Sequence, residues 1–363
     1  MKNTVIYAFV ILCFQITMSG CIDDISFKTD TGAGLLIVDG GFSDADEPQT
    51  IVLERTATYG SSPEPVIGAK VVVKSLDGKS GTYVEKGKGK YVLEPQILRG
   101  VVGQSYYVDI TLSAGEKYQS EPEVLPARVT PDSIFWDFGI ENIVNSNTST
   151  RESKVINIYV STPFKTENKD AFLKWRLYSN FRFQTLSRCN PFGTTTTCYF
   201  SKELTRPNIN ILSSKEIGLP RTNKARVDFI NIDPGYPFLE KHYFSLYQYT
   251  ISAKAYEYWN RINTVANQNG SIFDRAPASV KGNIFNKDNS KERIIGYFEV
   301  SSVAIKRVFV TGGEVKSFYA LYDKEQYCQD IQYRENNFFI NGCCNCLAIR
   351  QPNATVQQPS WWK

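Results

Sequence analysis

The chain has 363 residues, a formal net charge of +4 and a single histidine, His242. The length favours two domains, and 42% hydrophobic against 21% charged residues exclude wholesale disorder. The small charge, with no dense Lys/Arg block, argues against nucleic acid as a partner, and one histidine excludes a multi-histidine metal site. We expect His242 to be an ordinary surface or strand-end residue. The 21 Tyr and 22 Phe residues favour β-structure.

The N-terminus predicts export and lipidation. The apolar run from Val5 to Phe14 is too short to span a bilayer, but it suits the core of a signal peptide. Small residues at Ser19 and Gly20 directly precede Cys21, as in a bacterial lipobox. The sequence therefore predicts a lipoprotein signal peptide at 1–20, and a Cys21 that carries acyl chains such as palmitate and holds the protein on a membrane.

Residues 21–33 are predicted to be a lipidated, polar tether. Asp23 and Asp24 follow the lipidation site at once, an arrangement similar to the surface-export signal of Bacteroidota lipoproteins. The alternative is that this acidic pair is a plain solvated part of the tether. We expect an outer-membrane, lipid-anchored protein that faces the cell exterior.

Residues 34–126 are predicted to form an immunoglobulin-like or transthyretin-like β-sandwich. About seven short strand-like runs alternate with turns, including the Asp77-Gly78 turn. Pro122, Pro126 and Pro131 interrupt strand continuation and mark the predicted boundary. The predicted strands are Leu35–Gly40, Thr50–Arg55, Ala69–Lys74, Gly81–Val84, Lys90–Leu93, Ser105–Leu112 and Tyr118–Ser120.

Residues 127–363 are predicted to form a larger β-rich domain. The run Phe172–Tyr178 alternates strictly, with Leu173, Trp175 and Leu177 on its apolar side. The other predicted strands are Val155–Val160, Val227–Ile230, Tyr243–Tyr249, Arg293–Val300 and Val303–Val310.

The same region contains one clear helix, predicted at about 252–268. Ser252 is a good N-cap, and the residues after it place apolar side chains on one face. We expect this aromatic face to pack in the core, with ligand stacking as the alternative. The face consists of Ala255, Tyr258, Trp259, Ile262 and Ala266.

Six cysteines remain once Cys13 leaves with the signal peptide and Cys21 takes the lipid. An even set in an exported protein predicts disulfides, and the spacing lacks the paired Cys-x-x-Cys knuckles of structural zinc. Cys189 and Cys198 flank a hairpin-like segment, so we predict that they bond to each other. Two further bonds are expected among four cysteines near the C-terminus. The adjacent Cys343 and Cys344 rarely pair with each other, so we expect one to bond to Cys328 and the other to Cys346. The four cysteines there are Cys328, Cys343, Cys344 and Cys346.

Several motifs together resemble one family. They are the lipobox, Val38-Asp39-Gly40, Tyr249–Trp259, Gly270–Pro277, Gly282-Asn283-Ile284, Ile295–Phe298 and a terminal Cys-x-Cys before Pro-Ser-Trp-Trp. They resemble a domain-of-unknown-function family of Bacteroidota outer-membrane lipoproteins, often encoded beside TonB-dependent receptors. The resemblance implies a non-enzymatic accessory subunit of an outer-membrane β-barrel complex that acts in nutrient uptake.

The residues supply no catalytic constellation, so we expect no catalytic residues, no metal and no cofactor. The lone histidine removes the commonest general base, and no nucleophile has a recognisable activating neighbour. Two other functions remain open. One is a role as a subunit of another outer-membrane β-barrel complex, such as one that assembles outer-membrane proteins or surface lipoproteins. The other is glycan hydrolysis by a pair of carboxylates about 5–10 Å apart in a deep cleft.

Overall fold

The computed structural model describes most of the chain after the tether. The described residues are 34–57, 61–144, 149–164, 170–189, 192–205, 209–233, 235–267, 280–321, 324–326, 328, 343–348 and 353–363. The predicted signal peptide and Cys21, Asp23 and Asp24 lie outside them. The mainly β fold class is confirmed.

The described part of residues 34–126 forms nine strands, and each of the seven predicted runs overlaps one of them. Alternate residues of these strands are buried, as in β7, where Tyr106, Val108 and Ile110 point inward. The strands are β1 (Leu36–Ser43), β2 (Gln49–Arg55), β3 (Glu64–Pro65), β4 (Lys70–Ser75), β5 (Ser80–Glu85), β6 (Lys90–Leu93), β7 (Ser105–Thr111), β8 (Lys117–Ser120) and β9 (Glu123–Val124).

The following region adds nine strands. They are β10 (Ser133–Val144), β11 (Thr150–Pro163), β12 (Phe172–Gln184), β13 (Thr197–Glu203), β14 (Asn210–Ser213), β15 (Arg221–Asn231), β16 (His242–Ile251), β17 (Ile284–Asn286) and β18 (Ile295–Val310). Strands β10, β11 and β15 form a separate three-stranded sheet. The other fifteen form one mixed sheet, whose main order is β13-β12-β16-β18-β1-β2-β6-β5-β4-β7-β8-β17.

Strand β18 joins the two halves of this sheet. Its first part pairs in parallel with β1, from Ile295 opposite Ile37 to Ser301 opposite Ser43. Its second part pairs antiparallel with β16, from Ser302 to Val310. The two strands predicted at Arg293–Val300 and Val303–Val310 are therefore a single element, since the polar Ser301 and Ser302 are buried within the sheet and do not form a turn.

A glycine permits the close approach at the start of β18. Gly296 has φ of +115°, a conformation that L side chains rarely adopt. A Cβ at this position would overlap the carbonyl oxygen of Val38 in β1.

Three α-helices have defined ends. They are α1 (Ser214–Ile217), α2 (Ala253–Ala266) and α3 (Gly312–Phe318). Helix α2 confirms the predicted helix, and the Ser252 side chain accepts a hydrogen bond from the Ala255 amide. None of the described helices is long and apolar enough to cross a bilayer.

The buried face of α2 differs from the predicted stripe at two positions. Tyr256 is buried and packs against Phe172, with ring centroids 5.2 Å apart, whereas Ala266 is exposed. The helix lies across β12 and β14, so the face that it buries is set by where these strands lie.

Two large apolar cores contact opposite ends of β18. The first, which we call the N-terminal sandwich core, joins side chains of β1, β2 and β4–β8 to Ile284, Phe298 and Val300 of β17 and β18. The second fills the space between the three-stranded sheet and strands β12 and β16. A smaller cluster around Phe181 and Phe200 encloses the disulfides.

Three disulfides form, but not with the predicted partners. The bonds are Cys189–Cys344, Cys198–Cys346 and Cys328–Cys343. The predicted Cys189–Cys198 bond is wrong because the segment at residues 343–348 lies against β13 and supplies the partner of each of these two cysteines. Adjacent Cys343 and Cys344 do bond elsewhere, as predicted, and Cys328 takes Cys343. The expected bond of the other one to Cys346 is wrong, since Cys344 bonds to Cys189.

Candidate functional site

A cleft of about 760 Å³ lies between the N-terminal sandwich and the middle of the large sheet. Strands β12, β16 and β18 provide its floor. The end of β1, the loop that follows it and the start of β2 form one wall, and helix α2 with residues 204–205 and 209–210 forms the other. We call this space the central cleft.

The alternation of β12 determines which side chains reach the central cleft. Leu173, Trp175 and Leu177 are buried in the second core, as predicted. Lys174 and Arg176 therefore point to the opposite face and line the cleft, with Tyr178 beside them. The adjacent strand β16 contributes Tyr247 opposite Arg176 and Tyr249 opposite Lys174.

The innermost polar group is a buried ion pair. Lys174 Nζ lies 2.6 Å from Glu299 Oε2, and the two side chains are only 13% and 7% exposed. The indole nitrogen of Trp259, on helix α2, donates to the same carboxylate oxygen at 2.6 Å. The Lys174 ammonium also lies 4.6 Å from the ring centroid of Trp259. A charge so far from water requires such partners, so this group joins three elements.

A second ion pair lies nearer the opening. Arg176 donates to both carboxylate oxygens of Glu203, from Nε at 2.5 Å and from a terminal nitrogen. The Tyr178 hydroxyl donates to Glu203 Oε2 at 3.2 Å. This bidentate geometry fixes the guanidinium plane against the carboxylate.

Tyrosine hydroxyls complete the polar lining. The Tyr247 hydroxyl donates to Glu47, 2.9 Å from Oε1 and 3.0 Å from Oε2, and so ties the floor to the wall. Burial raises the pKa of Tyr178 to about 12, and burial also raises the pKa values of Tyr247 and Tyr249. These phenols therefore remain protonated hydrogen-bond donors at neutral pH.

Three carboxylates of the central cleft already accept hydrogen bonds from protein groups. Glu299 and Glu203 each accept from a cation and from an aromatic donor, and Glu47 accepts from Tyr247. A carboxyl group that transfers a proton to a bound molecule needs an oxygen directed at that molecule. The arrangement is suited to holding a ligand by rings and hydrogen bonds.

His242 is not a surface residue, and that part of its prediction is wrong. It begins β16, so it is at a strand end, but it is fully buried between the rings of Phe181 and Phe238. Its Nε2 lies 2.9 Å from Ser179 Oγ, and its Nδ1 lies 3.0 Å from the Pro237 carbonyl oxygen. Burial lowers its pKa to about 4. It lies on the core side of β16, away from the cleft.

The other predicted site residues do not meet in the central cleft. The three disulfides lie around the far end of β12, where Cys198 is opposite Phe183, and Cys21, Asp23 and Asp24 precede the described part of the chain. Within the described ranges, no group of three or more His, Cys, Asp or Glu side chains is arranged to hold a metal.

The cleft residues are too far apart in the sequence to form a motif. The alternation of β12 separates Lys174 and Arg176 from the core, but their partners Glu203 and Glu299 come from distant strands. Ligand stacking was the alternative for the aromatic face of the helix, and Trp259 is the residue of that face that lines the cleft.

Comparisons with known proteins give a family but no activity. No curated protein matches the chain. One similar solved structure is a biofilm associated protein, BSP domain, with 8% identity and a TM-score of 0.19; the alignment covers 84% of this chain and 65% of that chain, and a likeness this weak carries no functional argument. The family model DUF4249, a domain of unknown function, matches residues 22–307. Since that match covers most of its length, the chain belongs to the DUF4249 family.

Proposed function

We propose that this protein is a non-enzymatic, lipid-anchored accessory subunit of an outer-membrane β-barrel complex. Its barrel partner is of the TonB-dependent receptor type, and the complex takes up nutrients at the cell surface. The lipobox that ends at Cys21 supports the anchor, and the family match begins at the next residue, Ile22. Asp23 and Asp24 support an outward orientation.

The binding role is supported mainly by the hydrogen bonds that hold the carboxylates of the central cleft in place. Glu299 is held by Lys174 and Trp259, and Glu203 is held by Arg176 and Tyr178. Groups fixed in this way favour a rigid recognition surface over proton transfer. We therefore place ligand recognition in the cleft and barrel contacts on the surrounding loops and strand faces.

Purification of the native protein from outer membranes tests the proposal. A tag at the C-terminus, mild detergent and mass identification of the partners should recover a β-barrel protein with the lipoprotein. The matched control is Cys21→Ser, which should leave the protein uncleaved or soluble and without the barrel. A mature, membrane-bound Cys21→Ser protein would contradict the lipid anchor.

Two measurements separate this proposal from its alternatives: which barrel protein co-purifies, and whether the purified protein hydrolyses oligosaccharides. Recovery of a barrel that assembles outer-membrane proteins or surface lipoproteins would assign the protein to that machine. Shortening of oligosaccharides by the purified protein, lost in Glu299→Gln or Glu203→Gln, would make it a hydrolase.

Surface display is tested by replacing Asp23 and Asp24 with Ala. The variant should remain lipidated but become protected from protease added to intact cells. Unchanged cleavage would reduce the acidic pair to a plain tether.

A further inference from the structure

Aromatic rings surround the polar groups of the central cleft. Tyr178, Tyr247, Tyr249 and Trp259 line it, and each is only partly buried. The rings of Tyr178 and Tyr247 meet edge to face, with centroids 5.0 Å apart. The Lys174 ammonium lies between the rings of Tyr249 and Trp259, at 5.3 Å and 4.6 Å from their centroids. Flat apolar surfaces therefore alternate with hydrogen-bonding groups along the floor and the α2 wall.

The charges of the cleft nearly cancel. Its lining residues include the carboxylates of Asp39, Glu47, Glu203 and Glu299 and the cations of Lys90, Lys174 and Arg176. A phosphate or a polyanion is bound where positive groups are in excess, and two of the cations here are already paired with carboxylates. The cleft is therefore matched to a ligand without net charge.

The floor does not offer a backbone edge. Strand β12 is paired with β16 on one side and with β13 and β14 on the other. Strand β16 lies between β12 and β18, and β18 lies between β16 and β1. An extended peptide that adds to a sheet needs an unpaired strand, and these three strands have none along the cleft. Recognition must use side chains.

We infer that the central cleft binds a neutral oligosaccharide. The apolar faces of its sugar rings stack on Tyr249 and Trp259, and its hydroxyls exchange hydrogen bonds with the Lys174–Glu299 and Arg176–Glu203 pairs. The space of about 760 Å³ lies within the size range of small-ligand sites. Hydroxyl groups both donate and accept, so they suit a lining in which donors and acceptors are interleaved.

This inference rests on the proposed function only in taking the protein to bind without reaction. Association with a barrel and sugar binding are measured separately, so either can fail alone. A protein that binds sugar but co-purifies with no barrel would contradict the accessory role and leave the cleft assignment intact.

The test uses the full lipoprotein in a detergent without a sugar headgroup. Maltohexaose, cellohexaose, xylohexaose and mannohexaose are titrated and followed by calorimetry and tryptophan fluorescence. Hexagalacturonate and a penta-alanine peptide are titrated as charged and peptide comparisons. We expect at least one neutral oligosaccharide to bind with a Kd below about 1 mM, and the other two probes to bind more weakly.

Variants locate the binding in the cleft. Tyr249→Ala and Trp259→Ala should each weaken binding by about tenfold, the loss expected for one ring contact. Tyr249→Phe keeps the ring and should bind as the unmodified protein does. Phe309→Ala removes a ring that is 41% exposed on the same strand as Glu299 but outside the cleft, so it is the matched control and should bind normally.

Three results would overturn the inference. The first is no binding of any neutral oligosaccharide up to about 1 mM. The second is tighter binding of the peptide or the acidic sugar. The third is binding that survives Tyr249→Ala and Trp259→Ala in proteins whose circular dichroism and melting temperature are unchanged.

Discussion

The N-terminal sandwich (residues 34–126) and the C-terminal half of the large sheet (β12–β14, β16 and the second part of β18) are stabilised by different means. The N-terminal sandwich has no cysteine. Its core is built from aliphatic side chains and tyrosines whose hydroxyls bond to nearby groups. The Tyr91 hydroxyl donates to the Val66 carbonyl oxygen at 2.9 Å, and Tyr83 donates to that of Gly41 at 3.1 Å. Most of its strands pair with neighbours close in sequence.

The C-terminal half combines covalent links with a buried polar network. Two disulfides join residues 155 and 148 positions apart. In its core, Trp175 Nε1 donates to Gln248 Oε1 at 2.8 Å, and Gln248 Nε2 donates to the Val129 carbonyl oxygen at 2.8 Å. Contacts between distant segments require closure of long loops, which costs entropy that cross-links remove from the unfolded chain. Strands that pair with neighbours close in sequence close only short loops, so the N-terminal sandwich needs no cross-links of this kind.

The largest expected effect comes from removing both long-range disulfides. Replacing Cys189, Cys198, Cys344 and Cys346 by Ala should lower the free energy of unfolding by about 5 kcal/mol for the long loop that the first bond closes. The second bond then closes a ring of only about eleven residues, so its loss adds roughly 3 kcal/mol more. Urea unfolding followed by circular dichroism measures the change.

The control for that variant is Cys328→Ala with Cys343→Ala. This bond closes a separation of only 15 residues, which corresponds to about 3 kcal/mol. Equal midpoints for the two variants would contradict the role of long-range closure in the comparison.

The second effect lies where the two halves meet. Glu299→Ala leaves Lys174 buried without its counter-charge, and the expected loss of stability is about 3–5 kcal/mol. Adding Lys174→Met should recover part of it, because the unpaired charge is then absent. The control is Glu240→Ala at the partly exposed Arg182–Glu240 pair, which should change stability by less than about 1 kcal/mol. Similar losses of stability for Glu299→Ala and Glu240→Ala would contradict a special role of the buried Lys174–Glu299 pair.

The third effect is a pH dependence at the edge of the N-terminal sandwich. Burial raises the pKa of Glu123 to about 7, from a usual value of 4.5. Its carboxylate accepts from Tyr297 and, at 3.2 Å, from Ser252. Between these two pKa values the folded protein keeps a proton that the unfolded chain loses. The protonated Glu123 therefore makes its full contribution to the free energy of unfolding below about pH 4.5, and this contribution is lost as the pH rises to about 7.

Glu123→Gln should remove a decline of about 3 kcal/mol in the free energy of unfolding over that pH range. Urea titrations at several pH values give the slope, and Glu121→Gln, at an exposed neighbouring position, should leave it unchanged. A slope that persists in Glu123→Gln would assign the titration to another group.

The smallest effect has the opposite sign and lies in the C-terminal half. The pKa of His242 is lowered by burial to about 4, below the usual 6.5. The unfolded chain therefore binds a proton first, and stability is complete above about pH 6.5 and falls as the pH drops towards 4. Between pH 6.5 and pH 5 the loss should be about 2 kcal/mol, and His242→Gln should abolish it. An acid slope unchanged by the substitution would rule His242 out.

The sequence predicted local structure well and distant contacts poorly. The alternation at Phe172–Tyr178 and the N-cap at Ser252 act over a few residues, and both were confirmed. The Cys189–Cys198 bond was wrong because hairpin proximity says nothing about a segment that arrives from residues 343–348. The cleft was missed for the same reason, since Glu299 reaches Lys174 only when β18 lies beside both β1 and β16.

The pairing of β1 has a consequence for the order in which the chain folds. Ile37 is among the first described residues, yet its partner on one edge is Ile295. During synthesis, β1 can join β2 early, but its other edge stays open until β18 has emerged. An open edge is a template for mispairing, and long-range strand pairing is slow. The first strand of the sheet is thus completed only by a strand that ends at Val310, so a chain cut short before β18 keeps β1 open along one edge.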